Sequence, residues 1–275
     1  MDPQTLRIGE IEFEIEFDGP ADGTPVLLLH GFPETAACWR PVAELLVGHG
    51  IRTIAPNQRG YSPGARPLVV AEYAMELLVA DVIGLLDALG LAQVDLVGHD
   101  WGAAVAWAVA SMRPDRIRSL TTLSTPHPAA FGRARSRDGE QRSKSSYIDL
   151  FREAGTAERL LLDDGARQLR AVFGDEVAAE LVEEHIATLT EPGALTAALN
   201  WYRAMGRWAG DDAPIAVPTT YIWGAHDVAI GRMAAEGCGE FIAAPYRFIE
   251  VPDAGHWLPE TQAGVVASAI LKSLG

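Results

Sequence analysis

Residues 94–112 read VDLVGHDWGAAVAWAVASM. A short apolar run at 94–97 is followed by Gly98-His99-Asp100-Trp101-Gly102 and then by an alanine-rich stretch with helical spacing. That order predicts a buried strand, a tight turn and a helix. Glycines two before and two after Asp100 suit a turn so sharp that side chains there would meet neighbouring backbone. Asp100 stands at its apex, where the dipole of the following helix favours an ionised carboxylate. Two readings are open at this point: a nucleophile presented by a strand-to-helix elbow, or an ordinary helix N-cap, a position at which Asp is favoured.

The same rhythm extends on both sides. Residues 11–17 (IEFEIEF) alternate apolar and acidic side chains, the mark of a strand with one wet face. Apolar-rich runs at 26–29 and 51–55 read as buried strands, and 117–123 reads as a further strand. Between them, 71–89 has helical spacing and stops at Gly90. This β-α-β-α-β order specifies an α/β fold, a mostly parallel sheet with helices on both faces. Ligands of such sheets sit beyond the carboxyl ends of the strands. From 126 to 212 the pattern is helical without a convincing strand, opening with TPHP and closing with DDAPIAVP. Strand signals resume at 219–223 and 246–251, and a helix beginning near Thr261 ends the chain. The expected organisation is a core of residues 1–125 and 213–275, with an all-helical lid, 126–212, inserted in it.

Composition narrows the function classes. The chain has 275 residues, 48% hydrophobic and 21% charged, the balance of an ordinary globular protein. A net charge of -15 repels nucleic acid and anionic membrane surfaces, so neither is an expected partner. The densest basic stretch, Arg133, Arg135, Arg137, Arg142 and Lys144, reads as a solvated lid surface. No apolar run reaches the ~18 residues that span a bilayer, and MDPQTLRIGEIEFEIEF has no secretory pattern, which makes the cytoplasm the expected location. Cys38 and Cys238 lack metal-ligand or CxxC spacing and read as packing residues. Neither metal nor cofactor is expected.

The remaining motifs fall at strand ends. His30-Gly31-Phe32-Pro33 follows the run at 26–29, where a loop supplies a second oxyanion donor to a nucleophile elbow: the N–H of Phe32, with that of Trp101 as the first. The chain order nucleophile, acid, histidine then selects Asp227, after the strand TYIW, and His256, after FIEV. Asp253 is a rival acid, but three residues before His256 in one loop it is poorly placed to orient the ring. His30, His99, His127 and His226 suit packing or turn support, and His49 and His185 read as surface residues.

With these residues in hand the chain resembles the α/β-hydrolase superfamily and, within it, the soluble-type epoxide hydrolases. The resemblance covers nearly the whole chain. It rests on HGFP at 30–33, RGYS at 59–62, GHDWGA at 98–103, the Asp227 and His256 positions, and the lid. It implies conversion of an epoxide and water to a vicinal diol, through an alkyl ester on Asp100 that water activated by His256-Asp227 then breaks. It also implies two lid tyrosines that polarise the epoxide oxygen: Tyr202, within LNWYRA at 199–204, and Tyr147, within SYIDLFRE at 146–153. An alkoxide left by ring opening must be hydrogen-bonded and protonated, and a phenol does both. Phe32, Trp101, Trp201 and Trp257 are expected pocket walls, so the substrate is expected to be small and apolar.

Two positions depart from the family pattern. Asn57 stands where relatives often carry Asp, which bears on loop structure more than on chemistry. Ser124-Thr125 carries no acid at the alternative acid location, which favours Asp227. The nearest rival reading is a haloalkane dehalogenase, with the same Asp and Trp101. A leaving halide needs N–H donors rather than a proton, and the Asn such enzymes place after His-Gly is here Phe32. An Arg-bearing fluoroacetate-type site would resemble GHDRG, and a serine esterase needs Ser at 100. A non-catalytic binder on the same scaffold is the rival from another class, though it would be free to lose Asp100, Asp227, His256 or a lid tyrosine.

Overall fold

Alternating side chains sort the interior into two layers. In the computed structural model, which describes residues 4–206 and 213–274, the strand β3 (Thr24–Leu29) sends Val26 and Leu28 to one face of the sheet and Leu27 and Leu29 to the other, all buried. Each such leucine stabilises the fold by about 2 kcal/mol. The sheet has eight strands: β1 (Gln4–Ile8), β2 (Ile11–Asp18), β3, β4 (Ile51–Pro56), β5 (Val94–His99), β6 (Ile117–Leu123), β7 (Thr219–Gly224) and β8 (Tyr246–Val251). Their order is β1-β2-β4-β3-β5-β6-β7-β8; β1 and β2 run antiparallel to their neighbours and the others are parallel. Sequence patterning misses only β1. Its five residues are too short and too exposed to show a period, and it forms by hairpin pairing with β2 across a turn at Gly9.

Helices α1 (Arg40–Val47) and α12 (Ala263–Ser273) pack with Val26, Leu28, Val97 and Ile222 on one face. On the other, α2 (Met75–Ala88) and α3 (Trp101–Met112) cover Leu27, Leu29, Leu96 and Leu120. Between β6 and β7 come α4 (Pro128–Arg137), α5 (Gly139–Lys144), α6 (Tyr147–Phe151), α7 (Thr156–Ala171), α8 (Ala179–Leu189) and α9 (Ala194–Ala204). Two short helices, α10 (Arg232–Glu236) and α11 (Leu258–Thr261), follow β7 and β8. The described part of 126–212 is thus helical; the expected boundary at 212 lies outside the described residues. Among the described residues no helix is long and apolar enough to cross a membrane.

The RGYS motif seats α9 on the sheet. Gly60, at φ +94°, lets the helix approach so closely that a Cβ would lie 3.1 Å from the Ala197 carbonyl. The Trp201 indole N–H donates to the Arg59 carbonyl at 2.8 Å. The Arg59 guanidinium pairs with the Asp81 carboxylate through two bonds of 2.6 Å, both side chains largely buried. Ser62 donates to the Asn57 carbonyl at 2.6 Å, and Asn57 Oδ1 accepts from the Ala36 N–H at 2.8 Å, so Asn57 supports the loop.

Removing one partner of a buried ion pair leaves the other uncompensated. Asp81→Ala is therefore expected to lower unfolding stability by about 3 kcal/mol, read by urea denaturation; a change under about 0.5 kcal/mol would mean that the pair carries no structural load.

Candidate active site

The elbow exists because backbones meet there. A Cβ on Gly98 would lie 2.3 Å from the Gly102 carbonyl oxygen, and one on Gly102 would lie 2.1 Å from that of Leu29. Asp100 between them is held at φ 49°, ψ -117°, a conformation non-glycine residues rarely adopt. Its carboxylate makes no capping bond to α3. Oδ1 instead accepts the Phe32 N–H at 2.9 Å across 68 residues of chain. Gly31 makes room for this, since a Cβ there would lie 2.4 Å from Asp100 Cβ. Burial works to raise the Asp100 pKa. The imidazoles of His256 and His99 and the Phe32 N–H outweigh it and leave the carboxyl below its ordinary value. Trp101 follows as the first residue of α3.

Asp227 and His256 come together with Asp100, although 127 residues separate Asp100 from Asp227. Asp227 is fully buried; its Oδ1 accepts the N–H groups of Ala229 (2.7 Å) and Ile230 (2.9 Å), which fixes Oδ2 against His256 Nδ1 at 2.9 Å. A carboxylate can only accept there, so Nδ1 carries a proton. His256 Nε2 stands 3.6 Å from Asp100 Oδ2. Burial opposes charge on His256, but Asp227 and Asp100 together raise its pKa well above the ordinary value. Asp253, the rival acid, is exposed.

Above the elbow lies a cavity of about 450 Å³. Asp100, Trp101, Tyr147, Trp201 and Tyr202 line it, with Met75, Phe131, Ile148 and Ile230 among its apolar walls. Tyr202 makes edge contacts with Trp101 (5.1 Å between centroids), Phe32 (5.4 Å) and Phe151 (5.1 Å), and Tyr147 lies 6.2 Å from it. Burial and the Asp100 carboxylate push both phenols up, so both stay protonated. Two expected wall residues are placed differently. Trp257 is buried against Phe173 (4.8 Å) and His256 (4.9 Å), and Phe32 lies against Phe151 and Tyr202 (5.4 Å each); neither side chain lines the cavity. Among the described residues no group of three or more His, Cys, Asp or Glu side chains could hold a metal ion.

Behind the site is a buried polar layer that the motifs do not reveal. Glu34 Oε2 accepts the Gly31 N–H at 2.9 Å and lies 2.7 Å from His99 Nδ1; His99 Nε2 lies 2.9 Å from the His256 carbonyl. Burial lowers the His99 pKa to about 4 and raises that of Glu34 to about 7. Neutral His99 has one N–H, and the His256 carbonyl can only accept it, so the proton sits on Nε2 and Nδ1 accepts from a protonated Glu34. The side chain of Glu260, also buried, abuts Glu34. His185, expected at the surface, is fully buried on α8: its Nδ1 accepts the Thr35 N–H at 3.1 Å and lies 2.9 Å from Thr35 Oγ1. The signal was in the helix period, since Val182, His185, Ile186 and Leu189 form one buried stripe.

Comparison with known proteins agrees with this architecture. The family model described as the alpha/beta hydrolase fold matches residues 24–263. The chain is 34% identical to the AB hydrolase superfamily protein YfhM of Bacillus subtilis, over 98% of this chain and 97% of that one. It is also 34% identical to Epoxide hydrolase A of Mycobacterium tuberculosis, over 92% and 91%. The crystal structure of Epoxide Hydrolase A from Mycobacterium thermoresistibile superposes with a TM-score of 0.87 at 30% identity, covering 99% of this chain and 97% of that one.

Burial lowers the His185 pKa to about 3, so the unfolded chain takes up a proton there that the folded one refuses. Stability from this residue is present above the unfolded value, ~6.5, and is lost as pH falls toward the folded one. His185→Asn keeps an acceptor for Thr35 but does not titrate. Urea unfolding at pH 7 and pH 4.5 is expected to show the variant losing about 1–2 kcal/mol less than the parent on acidification; an equal loss would place the acid sensitivity elsewhere.

Proposed function

The chain belongs to the α/β-hydrolase fold family, and on that premise we propose that it is an epoxide hydrolase that opens a small apolar epoxide on Asp100 and releases a vicinal diol. One observation carries this reading: an ionised carboxylate at the elbow and two protonated phenols line the same cavity. A nucleophile without a proton to lose needs no adjacent base for its attack, and a leaving alkoxide needs a proton donor.

The geometry supports a division between the two carboxylate oxygens. Oδ1 is already bound to the Phe32 N–H, which leaves Oδ2 as the attacking atom. Oδ2 bonds to a ring carbon as that carbon's bond to the epoxide oxygen breaks, and Tyr147 or Tyr202 gives the oxygen its proton. The residues of 126–212 act as the lid that carries both phenols. In the second step His256 Nε2 takes a proton from water, whose oxygen attacks Asp100 Cγ. Negative charge then gathers on Oδ1, where the N–H groups of Phe32 and Trp101 form the oxyanion hole. Collapse breaks the Cγ–Oδ2 bond; the leaving oxygen takes the remaining proton of the added water, so the diol departs with Oδ2, Asp100 is again a carboxylate and His256 is again protonated.

The base is switched by the chemistry itself. Both Asp227 and Asp100 hold the His256 pKa up in the free enzyme. An ester on Asp100 has no charge, so the first step removes one of those two supports. His256 then gives its proton to the phenolate left by ring opening and becomes the neutral base that hydrolysis requires.

Single turnover in heavy-oxygen water is expected to label Asp100 before any diol; label appearing first in the diol would exclude the ester. His256→Gln should form the ester and fail to break it, leaving a substrate adduct visible by intact-protein mass spectrometry. Either Tyr→Phe change at 147 or 202 should slow ring opening by about 10- to 100-fold, and the double change should nearly abolish it. Halide release from a haloalkane with no epoxide turned over would refute the activity.

A further inference from the structure

Ser124, the residue just after β6, is where the sequence offered no acid, and its placement gives it another use. It is fully buried and non-glycine, yet it stands at φ +63°. Around it the Thr125 N–H donates back to the Leu123 carbonyl at 2.7 Å, an i to i+2 bond. A γ-turn with positive φ at its centre is rare because it is strained. Such conformations persist where the surroundings over-determine them, and they cluster at working sites.

Every polar group of Ser124 is engaged, two with β7 and one with the loop after β8. Its N–H donates to the Ile222 carbonyl on β7 at 2.9 Å, and its carbonyl accepts the Tyr221 O–H at 2.7 Å. Its own O–H donates to the His256 carbonyl at 2.8 Å. The Leu123 carbonyl at the start of the turn also accepts the Asp100 N–H at 3.3 Å. One three-residue turn therefore touches the backbone of both Asp100 and His256. Apart from it, the His256 carbonyl accepts the His99 Nε2–H and the Leu258 N–H, each at 2.9 Å.

We propose that Ser124 is a positioning residue for the hydrolytic half of the reaction: its strained turn and hydroxyl fix the His256 backbone relative to Asp100, and so fix the gap in which water is activated. This rests on the ester mechanism above. Thr125 at the end of the turn lines the epoxide cavity but Ser124 itself does not, and ring opening does not use His256, so the first step is insensitive to the Ser124 side chain.

Two variants separate the hydroxyl from the strain. Ser124→Ala removes the hydroxyl and keeps the strain; Ser124→Gly removes the hydroxyl and relieves the strain, so the glycine form is the one that stays folded. Tested on an epoxide that the parent hydrolyses, both variants are expected to lose about tenfold in kcat, since one charge-free hydrogen bond is at stake. KM falls in parallel, kcat/KM stays at the parental value, and the ester adduct accumulates at steady state. A merely structural defect would lower the amount of active enzyme and leave KM unchanged. Parental kcat without adduct in Ser124→Gly overturns the proposal, as does a loss of kcat/KM equal to that of kcat. His256→Gln run alongside keeps the two claims apart: no adduct in that variant refutes the ester mechanism itself, whereas adduct there and none in Ser124→Gly refutes only the role of Ser124.

Discussion

The close approach of backbones around Asp100 is the constraint on which the rest depends. Gly102 touches the end of β3, Gly98 touches Gly102, and Gly31 touches Asp100 itself. None of these contacts leaves room for a side chain. They hold the end of β5 against the loop after β3 closely enough for the Phe32 N–H to reach a carboxylate that the chain alone would place far away. Parallel pairing then brings the ends of β6, β7 and β8 to the same edge of the sheet. Asp227 and His256 follow β7 and β8 and arrive beside Asp100 for that reason. The site is a consequence of sheet register, with one turn deciding which atom is presented.

Charge in the site is distributed so that each group keeps its state until the reaction changes it. Asp100 is ionised despite burial because two imidazoles and a backbone N–H face it. The phenols are protonated because burial and that same carboxylate both push their pKa up. The layer behind the site works in reverse: burial makes His99 neutral and Glu34 protonated at about neutral pH, and that pair holds the His256 carbonyl without adding a charge. A charged His99 would sit 5.0 Å from the His256 ring and oppose its protonation.

Much of this was legible in the sequence, for identifiable reasons. Buried parallel strands give apolar-rich runs and β2 alternates apolar with acidic residues, so seven of eight strands could be read, while β1 could not, because a short exposed edge strand leaves neither trace. Asp227 and His256 were readable because chain order and strand ends are sequence properties. The walls of the cavity were legible in part: Trp101 and Trp201 line it, whereas Phe32 and Trp257 sit beside the motifs yet turn into aromatic packing. His185 was misread because a polar residue in a helix looks exposed until its neighbours at three- and four-residue spacing are counted. The site's supporting layer was least legible of all. Glu34 meets the side chain of His99 and Ser124 the carbonyl of His256, both distant in sequence, and no local pattern encodes those contacts.

A carboxylate nucleophile also changes what the base must be close to. A serine has to hand its proton to histidine, so the two must share a hydrogen bond before reaction. Asp100 has no such proton, and His256 Nε2 stands 3.6 Å from its Oδ2, beyond an ordinary hydrogen bond. In the proposed mechanism the base and the nucleophile never exchange a proton; water must enter between the imidazole and Cγ. The distance between them is then a quantity under constraint, since too small a gap excludes water and too large a gap leaves it unactivated. That accounts for the heavy investment in hydrogen bonds to the backbone at His256, where three donors hold one carbonyl while Asp227 orients the ring. The ring sets which nitrogen faces the ester, and the carbonyl sets how far away it stands.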